Sequence, residues 1–453
     1  MRPVPPPKRL LLQAKNHLLG LAPPQFLTLS FVLLALAGTL LLKLPLATHT
    51  PISWLQAMFT ATSASTVTGL IVLDTGTQFT LFGQSVLIVL MQCGGLGLMA
   101  FGVLIIHVMS GQLALRHRTA LREALNQSEQ ADMRRILGLL FGFTISMELL
   151  GTALLALHWV PQLGWSRGLF YSFFHAISAF NNAGFSLQSD NLASNVGDPL
   201  INIVITGLLI SGGIGFVVVA DMLGKSRFRD YSLHTKLMLI GTLALNLIAM
   251  LVILVLEYGN PATLGGLSSF STKLWAAWFQ AVTPRTAGFN TIDIQALLPA
   301  TAFFIMGLMF IGGGSGSTAS GIKLSTFMVL LLATRAFLRQ RQHPVVFGRS
   351  LDSNVILRAL AITVISLFCV ITGTLLLTIT EKGPFLDLAF EVVSAFGTAG
   401  LSRGLTADLS MAGQCVIMLL MLIGRVGPLT LAFTLANPHS TRIKYPVRQV
   451  NIG

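Results

Sequence analysis

Four short stretches recur along the chain, and their residue types suit one kind of chemistry. They are Ser65-Thr66-Val67-Thr68-Gly69-Leu70, Phe180-Asn181-Asn182-Ala183-Gly184-Phe185, Arg285-Thr286-Ala287-Gly288-Phe289 and Phe396-Gly397-Thr398-Ala399-Gly400-Leu401. Each passes from small or polar residues through a glycine to a large apolar residue. These glycines stand 115, 104 and 112 residues apart. A second set follows them: Gly94-Gly95-Leu96-Gly97, Gly212-Gly213-Ile214-Gly215, Gly312-Gly313-Gly314-Ser315-Gly316 and Gly424-Arg425-Val426-Gly427, at offsets of 25, 28, 24 and 24 residues. Small residues aid helix packing anywhere in a membrane, but matching order and offsets in four units argue for an internal repeat. Glycine after a short helix lets the backbone take conformations closed to other residues. Non-helical backbone at membrane depth is tolerated where it is buried in protein or lines a water-filled path. Four such strips about a pseudo-fourfold axis present rings of carbonyl oxygens, which can replace the hydration shell of a monovalent cation such as potassium. The negative C-terminal ends of the short helices favour a cation there. The strips hold no Asp or Glu, so side-chain capture of calcium is not indicated.

The elements that must position these strips are membrane helices. Of 453 residues, 53% are hydrophobic and 10% are charged, and the mean hydropathy is +0.76. Soluble domains carry about 25% charged residues. A water-soluble chain of this make-up would expose too much apolar surface, and a disordered one needs the opposite composition. Apolar runs lie near 26–47, 80–109, 134–160, 199–223, 236–257, 299–334, 355–379 and 411–436. A span needs roughly 20 residues, so this predicts eight transmembrane helices. Shorter apolar segments near 51–64, 168–180, 273–283 and 384–396 precede the strips and read as re-entrant. Cys93, Cys369 and Cys415 all lie in apolar stretches and imply no disulfide framework.

Charge fixes the orientation. The formal net charge is +13. Twenty-one of the 29 Lys and Arg fall in alternate segments between runs, from Arg2, Lys8, Arg9 and Lys15 to Arg442, Lys444 and Arg448. That side is cytoplasmic by the positive-inside rule, with both termini, and its partners are anionic lipid heads, not nucleic acid. The other side collects Asp74, Asp190, Asp198, Glu257, Asp293, Glu381, Asp387, Glu391 and Asp408. These form an acidic mouth that concentrates cations, or are ordinary solvated loop acids.

The four strips, Thr283-Pro284-Arg285-Thr286-Ala287-Gly288-Phe289-Asn290 and Gly312-Gly313-Gly314-Ser315-Gly316-Ser317-Thr318-Ala319-Ser320-Gly321-Ile322-Lys323 resemble the Trk/Ktr/HKT superfamily of potassium transporters. The resemblance covers nearly the whole chain. It is nearest the KtrB-type membrane subunit, because the first repeat follows the N-terminal arm almost at once. Ser320 departs from the glycine often found in that loop. The fold this implies is all-α: four tandem membrane–pore–membrane repeats, with eight transmembrane helices and four re-entrant pore helices around a pseudo-fourfold pore. The chain then divides into a cytoplasmic arm (1–25), repeat 1 (26–110), repeat 2 with its preceding cytoplasmic linker (111–224), repeat 3 with a broken second helix (225–335), repeat 4 (336–437) and a cytoplasmic tail (438–453).

The same resemblance implies the ion-translocating subunit of a bacterial potassium uptake system in the plasma (inner) membrane. It implies a homodimer with two pores, controlled by a cytoplasmic ring of RCK-type nucleotide-binding subunits. Potassium is the transported ion, sodium stays open as a second one, by symport or by permeation, and no nucleotide binds this chain. The filter is the backbone of Val67, Thr68, Gly69, Asn182, Ala183, Gly184, Thr286, Ala287, Gly288, Thr398, Ala399 and Gly400. Serine at the first glycine position accompanies sodium selectivity in plant relatives, so Gly69 points to potassium. By the same resemblance Gly312 to Gly321 is an intramembrane gating loop, with Lys323 and Arg425 beside it.

Other readings of these residues are weighed against the chemistry. Gly316 to Gly321 mimics a phosphate-binding loop, but Ile322 precedes Lys323 and no α/β domain surrounds it, so ATP binding is rejected. Arg425 lies in the final span, where a central Arg demands a pore or a polar partner. It is a barrier to cations or a structural donor to loop carbonyls. Lys323 is similar, or extends towards the cytoplasm. Arg285 is expected to pair with an outer acid such as Asp293. Glu148, in the third run, is an interhelical hydrogen bonder or an ion site. His107, His158 and His175 lack metal-ligand spacing. A secondary transporter of another monovalent cation with broken midplane helices would predict inverted repeats, whereas these repeats are parallel. An intramembrane enzyme would need a catalytic set within the spans, and none is found.

Overall fold

The computed structural model describes residues 23–97, 133–341 and 343–427. Most of the N-terminal arm, the first cytoplasmic linker, the C-terminal tail and the distal ends of the second and eighth apolar runs lie outside the described residues, as does His107.

One order repeats four times: helix, short helix, extended strip, helix. The first unit holds α1 (Pro23–Leu42), α2 (Trp54–Ser65), the one-turn α3 (Thr75–Gln78) and α4 (Leu81–Leu96). The second holds α5 (Met133–Leu163), α6 (Trp165–Phe180), α7 (Pro199–Gly213) and α8 (Phe216–Gly224). The third holds α9 (Leu233–Glu257), α10 (Phe270–Val282), α11 (Pro299–Ile311) and α12 (Leu324–Leu338). The fourth holds α13 (Ser353–Thr380), α14 (Phe385–Gly397) and α15 (Met411–Val426).

Helix starts are set locally. Ser53 and Gln56 form a capping box on α2: Ser53 Oγ accepts from Gln56 N at 3.1 Å, and Ser53 N donates to Gln56 Oε1 at 2.8 Å. Ser232, Ser269 and Ser410 cap α9, α10 and α15, and Asp198 caps α7 ahead of Pro199. Each such cap contributes about 1 kcal/mol.

The burial pattern is that of a protein in lipid. Gly138–Leu163 within α5, α9 and α13 are each long and apolar enough to cross a membrane. Leu357, Leu360, Val364, Leu367, Ile371, Leu375 and Ile379 of α13 are all exposed. Their steps of three and four residues make one continuous apolar stripe, which suits acyl chains and not water. The short helices sit inside instead: α14 is buried at every residue from Leu388 to Gly397.

The apolar clusters link the units in a cycle. Phe174 and Phe185 of the second unit pack with Ala61 and Leu87 of the first. Phe279 and Phe289 of the third pack with Trp159 and Phe180 of the second. Phe390 and Leu401 of the fourth pack with Ile305 and Met309 of the third. Phe59 and Leu70 of the first pack with Val392 and Ile417 of the fourth.

Two features depart from the sequence reading. The expectation of an all-α chain misses an antiparallel hairpin, β1 (Val345–Val346) with β2 (Arg349–Ser350). Its turn residues Phe347 and Gly348 have φ of +49° and +75°, as a tight hairpin whose twist matches its strands requires. The apolar run at 199–223 is also not one straight helix, because α7 and α8 are bent by 95° between Gly213 and Phe216.

Candidate ion-selectivity site

Each strip follows the C-terminus of a short helix and carries the same backbone signature. Val67, Asn182, Thr286 and Thr398 have φ of +57°, +58°, +72° and +47°. Two residues on, Gly69, Gly184, Gly288 and Gly400 have φ of +87°, +70°, +75° and +75°. The residues between them are absent from the positive-φ set, so the sign alternates along every strip. A β-branched residue at positive φ costs on the order of 1–3 kcal/mol and persists only where its surroundings enforce it. Three of the four leading residues are Val or Thr.

The enforcing bonds are repeated as well. Thr68 N donates to Ser63 O at 2.8 Å, Ala183 N to Ser178 O at 2.7 Å and Ala399 N to Ser394 O at 2.8 Å, each five residues back; in the third strip Ala287 N reaches Thr283 O at 3.0 Å. Side-chain hydroxyls finish the frame. Ser63 Oγ accepts from Gly69 N at 3.1 Å, Ser178 Oγ donates to Phe185 O at 2.8 Å and Thr283 Oγ1 donates to Phe289 O.

The four glycines converge. A Cβ on Gly69 would stand 2.4 Å from Ala183 O, and one on Gly184 would stand 2.7 Å from Gly288 Cα. A Cβ on Gly288 would lie 3.3 Å from Gly400 Cα, and one on Gly400 would lie 2.2 Å from Thr68 O and 3.2 Å from Gly69 Cα. Contacts therefore run from strip to strip in chain order and close from the fourth to the first.

Behind the strips lie buried polar groups. His175 Nε2 receives Leu187 N at 3.4 Å, so its proton sits on Nδ1, which donates to Tyr171 O at 2.8 Å. Arg285 does not reach Asp293. Its Nη2 donates to Asn246 Oδ1 at 2.5 Å, and Asp293 Oδ1 accepts from Gln295 N at 2.8 Å. The correction has a steric reason: Arg285 is 8% exposed and points behind the strip, towards α9.

The outer acids are mostly committed to structure. Glu257 and Glu391 are fully buried. Glu257 accepts from Thr263 Oγ1 at 2.6 Å and Leu298 N at 3.0 Å, while Glu391 accepts from Ser402 Oγ and from Thr406 Oγ1 at 2.8 Å. Asp387 pairs with Arg403 Nε at 2.5 Å, and Asp198 with His158 Nδ1 at 2.8 Å. Asp74 caps α3. Partial burial opposes its charge, but hydrogen bonds from Ser189 and Thr77 outweigh that and hold the carboxyl below its ordinary value.

The segment Gly312 to Gly321 is the second locus, and the second and fourth units hold it. It breaks the third unit's final helix into α11 and α12, with φ of +66° at Gly312, +68° at Gly316 and +76° at Gly321. It rests on the elbow between α7 and α8: Gly314 N donates to Gly213 O at 2.7 Å, and Phe216 N donates to Gly316 O at 2.9 Å. Thr318 Oγ1 reaches Phe180 O at 3.4 Å, at the head of the second strip. Arg425 enters from α15. Its Nη1 donates to Thr318 O and, at 3.3 Å, to Ser320 Oγ; its Nη2 donates to Gly94 O at 2.5 Å and Gly95 O at 3.2 Å. Lys323 does not extend towards the cytoplasm. Its Nζ folds back onto Ala319 O at 2.5 Å, because φ of +72° turns the side chain into its own loop.

The sequence reading missed the elbow as the seat of this segment, although the cluster Gly212-Gly213-Ile214-Gly215 marks its place. Gly94, Gly212 and Gly424 have a common task. A Cβ on them would fall 2.0, 1.8 and 1.9 Å from Ser65 O, Phe180 O and Phe396 O, the carbonyls at the ends of their own units' short helices. Among the described residues no cluster of His, Cys, Asp or Glu could hold a metal ion.

Comparison with known proteins agrees with this architecture. The TrkH family profile, described as a cation transport protein, matches residues 22–443. The chain is 54% identical to the Ktr system potassium uptake protein B of Bacillus subtilis (strain 168), over 95% of this chain and 97% of that one. It is 44% identical to the protein of the same name from Vibrio alginolyticus, over 95% of each chain. It is 36% identical to the potassium/sodium uptake protein NtpJ of Enterococcus hirae, over 96% of this chain and 98% of that one. The crystal structure of the potassium transporter TrkH from Vibrio parahaemolyticus has the same fold, with a TM-score of 0.70 at 19% identity over 91% of this chain and 84% of that one. The chain belongs to the TrkH family of cation transport proteins.

Proposed function

We propose that the chain is the ion-translocating membrane subunit of a bacterial potassium uptake system. The observation that carries this reading is the closed cycle of four glycines at positive φ, each two residues after a second positive-φ residue. Alternating φ turns successive carbonyls to one side of a strip. Four strips facing one axis then offer stacked carbonyl rings to a dehydrated monovalent cation. The backbones of Val67, Thr68, Gly69, Asn182, Ala183, Gly184, Thr286, Ala287, Gly288, Thr398, Ala399 and Gly400 form the filter. Four re-entrant helices among eight spans carry it, one pair of spans and one short helix in each of the four repeats bounded above.

Gly312 to Gly321 closes the path below the filter, and Arg425 holds the segment while placing a positive charge in the way of an entering cation. Lys323 buttresses the same segment. Opening needs the Arg425 bonds to Thr318 O and Gly94 O to break together. A cytoplasmic ring of nucleotide-binding regulatory subunits, docked on a homodimer whose termini face the cytoplasm, drives that step. Sodium is the second ion to weigh, because the Enterococcus relative bears both ions in its name.

Rubidium flux into liposomes holding the purified protein tests the reading. Flux blocked by potassium and only weakly by sodium is expected. Equal block by both ions removes the potassium-selective filter.

A further inference from the structure

Glu148 is a carboxylate at mid-span in α5, and it is 6% exposed. A charge at that depth is costly unless it is partnered. One oxygen accepts from Gln92 Nε2 of α4 at 3.1 Å, the other from Asn181 Nδ2 at 3.1 Å. Gln92 Oε1 in turn accepts from Asn181 Nδ2 at 2.6 Å. The three side chains close a triangle across two units. Its third corner, Asn181, caps the C-terminus of α6 and immediately precedes the positive-φ residue Asn182 of the second strip.

An acceptor-only group fixes both amides. A carboxylate presents no donor, so Gln92 and Asn181 must each turn their NH2 towards it. Asn181 Oδ1 is thereby turned away, buried and without a partner, against Gly95, where a Cβ would stand 2.0 Å from it. Gly95 O is held by Arg425. At the matching position of the other strips stand Thr66, Arg285 and Gly397. Thr66 bonds Thr62 O of its own helix, Arg285 bonds an amide, and Gly397 has no side chain. Among the described residues the second strip alone is braced here by a carboxylate, which comes from another helix.

We infer that Glu148 is a positioning residue for ion selectivity: through Asn181 it sets the inner end of the second filter strip and ties that strip to α4. The inference rests on the filter reading given above. Removing the acceptor leaves Asn181 Nδ2 only Gln92 Oε1 and Ile177 O, so the cap from which Asn182 begins loses its tie to α5.

The test is sodium competition against rubidium uptake, read as a ratio of inhibition constants in proteoliposomes. Glu148→Gln keeps the size but offers one oxygen and one NH2, so one of the two amide donors faces a donor. It is expected to lower discrimination about tenfold, the worth of one buried hydrogen bond. Glu148→Asp keeps two acceptors and is expected to recover part of the ratio. Gln92→Leu removes a different corner and keeps the test readable if variants at 148 fail to fold. Gly184→Ser serves as the filter control. A changed ratio in Gly184→Ser with an unchanged ratio in folded Glu148→Gln and Gln92→Leu overturns the inference and leaves the filter reading standing. An unchanged ratio in all three overturns both. Lower protein yield at a constant ratio means a packing role, and also overturns it.

Discussion

Arg425 Nη2 and Gly94 O lie 2.5 Å apart, and this bond joins the last helix of the fourth unit, α15, to the end of the last helix of the first, α4. The other guanidinium nitrogen holds Thr318 O in the third unit. One side chain thus clasps both the segment proposed to close the pore and the wall beside it. A guanidinium can do this because its planar fork carries several donors in fixed directions, which an ammonium lacks.

Arg425→Ala is expected to raise basal rubidium flux without a regulatory partner. Each charge-assisted bond is worth about 1.5–3 kcal/mol, so losing two shifts the closed-to-open ratio by roughly a hundredfold or more. Arg425→Lys keeps the charge and loses the fork. High flux in both variants assigns the effect to anchoring; high flux in Ala alone assigns it to charge. Wild-type flux in both, with normal insertion, leaves Arg425 a packing residue.

Gly69→Ser is expected to weaken potassium over sodium selectivity. Its φ is +87°, and the new Cβ would fall 2.4 Å from Ala183 O in the next strip. Backbone cannot give way as a flexible side chain can, so the clash spreads to the second strip. Sodium inhibition of rubidium uptake measures it, and unchanged inhibition in a well-expressed variant removes this strip from the filter.

Glu391→Ala is expected to destabilise the protein by about 3 kcal/mol, because one buried and one half-buried hydroxyl donor lose their acceptor. Ser402 and Thr406 are those donors. Glu391→Gln retains one oxygen and should cost less. Thermal denaturation followed by intrinsic fluorescence reads the order Ala, Gln, wild type. Equal midpoints would mean that Glu391 carries no stabilising load.

Particular residues show what was legible in the sequence. The strips were, because a glycine at positive φ is a local demand that only glycine meets without strain, and four copies at matched spacing expose it. The short helices were too: 384–396 reads as a short apolar segment, and α14 spans Phe385–Gly397. The 95° bend at Gly213 to Phe216 was hidden inside one apolar run, since hydropathy records composition and not chain direction. The partner of Arg285 was hidden as well. Asn246 stands 39 residues away on α9, brought there by packing alone. The outer acids misled for a related reason. Charge can be read from a sequence, but not whether Thr263, Thr406 and backbone N–H groups will converge on it.

The elbow that the sequence concealed yields the last prediction. Gly215 has φ of +104°, and a Cβ there would stand 2.5 Å from Ser315 O. The neighbouring bonds, Phe216 N to Gly316 O at 2.9 Å and Gly314 N to Gly213 O at 2.7 Å, hold the loop on the elbow. Gly215→Ala introduces a strained backbone and a clash at the same place, so the loop must lift or the elbow must straighten. Either change should raise basal flux, by up to roughly thirtyfold if both bonds, at about 1 kcal/mol each, are lost. Deleting part of Gly312 to Gly321 removes the obstruction itself and should raise flux further, making it independent of the regulatory partner. The two variants separate seat from gate. High flux in the deletion with wild-type flux in Gly215→Ala would mean that the loop closes the pore without needing the elbow. Flux that still depends wholly on the partner in a stable deletion variant would move the gate elsewhere, and the Arg425 clasp with it.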